Sequence, residues 1–135
     1  MSGETDLDRL IATMAARLDP ETYVFATLPA EASYSSLAPR MTFAEAEGMT
    51  LILTKSEAEA QGIPFEYPCR MITLTVHSSL AAVGFLARIT TALAANGISV
   101  NPVSAFHHDH LFVPEDRADE VMSLLADLSA TARSE

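Results

Sequence analysis

Residues 71–117 read MITLTVHSSLAAVGFLARITTALAANGISVNPVSAFHHDHLFVPEDR, and their element order decides the fold. From Met71 to His77, Met71, Thr73, Thr75 and His77 alternate with Ile72, Leu74 and Val76, which predicts a strand with one buried face. Val83, Leu86, Ile89, Thr90 and Leu93 then recur at helical spacing and predict a helix over 83–95. Asn96-Gly97 supplies its left-handed end. Ile98 to Phe106 and Leu111 to Val113 predict two more strands around a polar turn, and Asp116 to Leu128 a closing helix. Ala118, Val121, Met122, Leu125 and Leu128 are its inward face. Strand-helix-strand-strand-helix is most of a small ligand-binding module, and the loop His77 to Val83 is where it is expected to grip a small molecule.

Upstream, Thr5 is positioned to cap a first helix, with Asp6 and Asp8 at its positive end and Leu7, Leu10, Ile11, Met14 and Leu18 as its stripe. Asp19-Pro20 is expected to stop it. Tyr23 to Leu28 reads as a buried strand, and Pro29 to Arg40 as a flexible polar loop. Two capping boxes follow. Thr42 to Glu45 predicts a helical turn ended by Gly48, and Thr54 to Glu57 another ended by Gly62. Met49 to Leu53 is a strand between them, and Ile63 to Pro68 an extended connector. Each half therefore lacks one strand of a four-stranded βαββαβ unit, and open sheet edges tend to be paired or covered. The expected fold is α+β: ferredoxin-like antiparallel sheets with helices on one face. Two incomplete modules, 1–68 and 69–135, complete each other within one chain or across a dimer.

Composition limits the partners. The 135 residues are 49% hydrophobic and 19% charged, which argues for a packed core. Eight Lys and Arg against 18 Asp and Glu give a net charge of −10, a surface that repels nucleic-acid phosphates. No apolar run approaches the roughly 20 residues that cross a bilayer. The acidic N-terminus lacks a secretion signal's layout, and the single cysteine, Cys69, forms no internal disulfide. A cytoplasmic protein is expected, with no nucleic-acid or membrane partner.

The phrase VGFLARITTALAANGISVN resembles the glycine-started helix and Gly-Ile-x-x-Asn turn of the ACT domain, a regulatory module that binds amino acids. SAFHHDHLFV is similar to the second hairpin of that family, including its arginine sensors. YVFATLP and FAEAEGMTLIL extend the likeness to small bacterial stand-alone ACT proteins. The resemblance implies a homodimer with ligands at module interfaces, against the loop after the first strand and the start of the second. It implies that Gly84 lets the backbone approach a ligand, that Asn101 contacts the ligand's polar groups, and that Asp109 faces the bound amino acid. The family's frequent acidic residue after the first strand is replaced by His77, Ser78 and Ser79.

Physical chemistry gives these positions a rationale. A helix starting near Val83 and Gly84 offers free N–H groups to a carboxylate. Ser78 and Ser79 add hydroxyl donors, and Asp109 suits an ammonium. His77, Ser78, Ser79, Val83, Gly84, Asn101 and Asp109 are therefore the candidate ligand-binding residues, and the ligand is an amino acid or similar metabolite. His107-His108-Asp109-His110 contains possible metal ligands, but neighbours on a strand point to opposite faces, so all four cannot converge. No GxSxG elbow, P-loop or GxGxxG is present, so neither a catalytic residue nor a cofactor is assigned. Three classes of function compete. They are a non-catalytic amino-acid sensor, a dimerising scaffold without ligand, and a metal-dependent enzyme using the histidine hairpin.

Overall fold

A computed structural model describes residues 6–76 and 80–134. The chain forms helix α1 (Leu7–Thr13), strands β1 (Ala16–Leu28), β2 (Met41–Glu45) and β3 (Gly48–Thr54), and helix α2 (Lys55–Ala60). It continues through β4 (Glu66–Leu74), α3 (Phe85–Ala95), β5 (Asn101–Ser104), β6 (Asp109–Pro114) and α4 (Ala118–Ser134). Two compact units result, one from the described parts of Met1–Asp19 and Arg70–Glu135, the other from Pro20–Cys69. In this division α1 and the start of β1 are grouped with the later residues. Strands β1 and β4 are each divided between the units. The strand order is β1-β4-β6-β5 in the first unit and β2-β3-β1-β4 in the second, so each holds four strands of an ACT-like ferredoxin fold. No helix among the described residues is long and apolar enough to cross a membrane.

In the first unit Leu10, Ile72, Ile89, Leu93, Leu111 and Leu125 are central to the core, drawn from α1, α3, α4 and the sheet. Asp6 is the N-cap of α1, its carboxylate accepting from Arg9 N at 3.1 Å, and Thr5 lies outside the described residues. The helix ends at Thr13, six residues before the expected Asp19-Pro20 stop. Both of those residues are inside β1, whose period-two pattern outweighs the proline. Ala16 and Leu18 face the first core, and Val24, Ala26 and Leu28 on the same parity face the second. Thr73, expected on the open face of its strand, is also buried and bonds His110 Nδ1 at 2.9 Å.

The second unit is covered more thinly. Helix α2 begins as its capping box predicts, with Thr54 Oγ1 accepting from Glu57 N at 3.2 Å. The other box fails, because Thr42 to Glu45 is strand β2, paired with β3 through Phe43↔Thr50 and Glu45↔Gly48. Ala and Glu favour a helix locally, but hairpin pairing supplies a hydrogen-bond ladder to four residues too few to make a stable helix. Gly48 lets β3 lie close against β1: at φ +153°, a Cβ there would stand 2.6 Å from Leu28 O. The loop Pro29 to Arg40 occupies the chain position of a first module helix, and its Tyr34 and Leu37 pack on Val24, Leu51 and Leu53. The connector expected to reach Pro68 gives way to strand at Glu66.

Candidate functional site

Helix α3 starts two residues later than expected and buries Phe85, Ile89 and Leu93. Val83, expected on that buried stripe, is instead 84% exposed in the loop before the helix. Gly84 is the N-cap at φ +91°, and among the described residues no side chain caps the first-turn N–H groups. A Cβ at Gly84 would lie 3.4 Å from Leu7 Cδ2, so a close approach to α1 accounts for part of its role. His77, Ser78 and Ser79 lie outside the described residues.

The β5–β6 hairpin presents the other half of the site. Its first strand is shorter than expected and its second longer, with Asn101 opposite Phe112 and Ser104 opposite Asp109. The turn closes through Ala105 N donating to His108 O at 3.0 Å. Asp109, Ser104, His107 and His108 line a cavity of about 80 Å³ with Leu80, Phe85 and Leu86. Asp109 is thus brought beside the start of α3. Asn101 is not: it is exposed three residues from Ser104, roughly 10 Å along the strand.

Strand alternation does not govern His107 and His108, which lie in the turn before β6 and line the cavity together with Asp109. His110 Nδ1 is engaged by Thr73 instead. Among the described residues no three His, Cys, Asp or Glu side chains converge as metal ligands. His108 Nδ1 is buried with no hydrogen-bond partner. Phe85, Leu86 and Ser104 were not expected at a site. They join it because two segments some twenty residues apart in sequence come together, and only the Ser104–Asp109 strand register hints at one of them. Around the cavity, Leu80 is 68% exposed, Val83 84% and Phe106 75%, three of the four large apolar side chains left exposed among the described residues.

The ACT domain family matches the chain twice, over residues 2–70 and 66–127, and the chain belongs to that family as a tandem of two such domains. Both matches include residues 66–70, the first part of β4. A Vibrio cholerae protein of unknown function, described as a possible transport protein, is 37% identical with a TM-score of 0.83, covering 91% of this chain and 95% of that one. A protein from Agrobacterium tumefaciens is similar at 18% identity and TM-score 0.74, over 86% and 89% of the two chains. The regulatory subunit of aspartate kinase from Thermus thermophilus shares the fold at 11% identity and TM-score 0.62, over 87% and 98%. No curated protein matches the sequence. ACT domains are typically regulatory amino-acid-binding modules, so a regulatory role is the general function the family implies.

Proposed function

We propose that this protein is a small cytoplasmic, non-catalytic regulator that binds an amino acid or similar metabolite at the cavity beside α3, in a homodimer. The observation that carries this reading is the meeting of Asp109 with the start of α3 at one cavity, with exposed Leu80 on its lining and exposed Val83 and Phe106 next to lining residues in the chain. An α-amino acid carries two opposite charges. Its carboxylate suits the first-turn N–H groups and its ammonium suits Asp109. At about 80 Å³ the cavity holds the volume of two or three waters, which is room for the head of such a ligand. A second copy seated on Leu80, Val83 and Phe106 encloses the rest, since exposed apolar patches mark interaction surfaces. Asn101 reaches such a site from the second copy. Val83 and Gly84 stand in the chain just before the first turn of α3, and His77, Ser78 and Ser79 are proposed as further ligand contacts.

The alternative is a dimerising scaffold without ligand, favoured by the same apolar rim taken alone. A thermal-shift panel of the twenty amino acids, run beside sedimentation analysis, separates the two. The sensor reading expects one amino acid to raise Tm, the Asp109→Asn variant to lose that shift, and Leu80→Glu to weaken self-association. Silence across the panel with an intact dimer leaves the scaffold. A shift that survives Asp109→Asn removes Asp109 from the site.

A further inference from the structure

We propose that the second unit carries its own site, separate from the cavity beside α3, for a small organic cation: an amine or guanidinium joined to an apolar body. The site is a groove of about 620 Å³, within the roughly 300–1,000 Å³ of small-molecule sites. Phe25 and Thr27 of β1, Thr50 of β3 and Glu45 of β2 form one side, and Phe65 and Glu66 at the start of β4 form the other.

Strand register explains how this surface arises. Thr27 lies opposite Thr50, and Thr50 opposite Phe43, two residues from Glu45. Alternation therefore sets Phe25, Thr27, Thr50 and Glu45 on the face turned away from buried Val24, Leu51 and Leu53. Phe25 is held edge-on to Tyr67, ring centroids 5.8 Å apart. Tyr67 itself sits at φ +62°, a left-handed conformation uncommon for a non-glycine residue. Thr50 Oγ1 donates to Glu45 Oε1, which fixes that carboxylate while leaving its second oxygen available to another donor.

The lining chemistry selects a charge. Two carboxylates, two hydroxyls and two phenyl rings face the groove, and no basic side chain lines it among the described residues. Aromatic faces attract cations, and carboxylates attract them more strongly still. The chain's net charge of −10 raises the local concentration of cations and disfavours anions. An apolar body answers the rings, and an ammonium or guanidinium answers Glu45 and Glu66.

Amide NMR titration at low salt, with phenethylamine and agmatine as probes and 2-phenylethanol as the neutral comparison, tests the proposal. Both amines are expected to shift the amides of Phe25, Thr27, Glu45, Thr50 and Glu66 saturably, and the alcohol far less. Glu66→Gln alone, and Glu45→Gln with Glu66→Gln, keep similar size and are expected to weaken amine binding, the double variant by about tenfold. Salt at 0.5 M weakens it too. Asp109→Asn leaves it unchanged, so this test and that of the cavity beside α3 fail independently. Absence of saturable shifts with the amines, equal shifts with the alcohol, or parental affinity in a folded double variant overturns the proposal.

Discussion

The two units use one strand order and cover it in two ways. In the first, α3 and α4 lie on the sheet with α1, and among the described residues fourteen buried ones form the cluster. In the second, a six-residue helix and the loop Pro29 to Arg40 do the same work over five buried residues. The difference shows that the four-strand order does not itself require both helices. Partly buried loop side chains such as Tyr34 and Leu37 exclude water from the sheet face where a helix would otherwise lie. Less burial follows, and with it less stabilisation, since hydrophobic stabilisation scales with the apolar area removed from water.

The largest expected effect therefore falls in the first unit. Leu93→Ala empties a fully buried position and is expected to lower unfolding stability by about 3 kcal/mol in urea titration. Leu37→Ala in the second unit removes a part-exposed side chain and is expected to cost about 1–2 kcal/mol. Equal losses would erase the distinction between helix and loop cover.

Gly48→Ala and Gly84→Ala sharpen the comparison at the backbone. Both positions have positive φ, but the new methyl meets Leu28 O at 2.6 Å in the first case and only Leu7 Cδ2 at 3.4 Å in the second. Gly48→Ala is expected to lose about 2–3 kcal/mol and Gly84→Ala about 1 kcal/mol, read as Tm differences by calorimetry. A reversed order would mean that the β2–β3 hairpin shifts away from β1 more freely than α3 shifts from α1.

Helix caps come next. Thr54→Ala and Asp6→Ala each remove one side-chain acceptor from a helix start, worth about 1 kcal/mol apiece. Circular dichroism should show Thr54→Ala losing α2, and Asp6→Ala leaving most helical signal in place, because α1 packs within the larger core. The smallest effect belongs to Glu120. Its hydrogen bond from Arg117, at 2.7 Å, holds the carboxyl below the usual range, and the attraction of the same guanidinium adds to this. Arg117 also donates to Asn96 O at 3.1 Å, tying the start of α4 to the end of α3. A carboxyl lowered on folding stabilises above its unfolded pKa, and that contribution is lost as pH falls through the folded value. Glu120→Gln should thus differ slightly from the parent near neutrality and converge with it in acid. A gap that widens in acid would reverse the sign.

Much of the fold was legible because its signals are local. The Thr54 box, the Asn96-Gly97 helix end and the stripe of the last helix each depend on residues within a turn or two. Thr42 to Glu45 carries the chemistry of a helix start yet is strand, because pairing with β3 outweighs a local preference of a fraction of a kcal/mol per residue. Asp19-Pro20 is no helix stop, because α1 has already ended at Thr13 and β1 runs through both residues. At the candidate site, Asp109 was expected from the resemblance of its hairpin, whereas Phe85, Leu86 and Ser104 were not, since they meet it only through packing.

By itself, then, the sequence determined the α+β class, the ACT family and the positions of the well-capped helices, because periodicity and caps are short-range. Tertiary structure alone decided that β1 and β4 each serve two units, that Asn101 stands apart from Asp109, and that a carboxylate-flanked groove opens beside Phe25. Those outcomes depend on strand register and on which surfaces remain uncovered, and both are set by contacts between residues far apart in the chain.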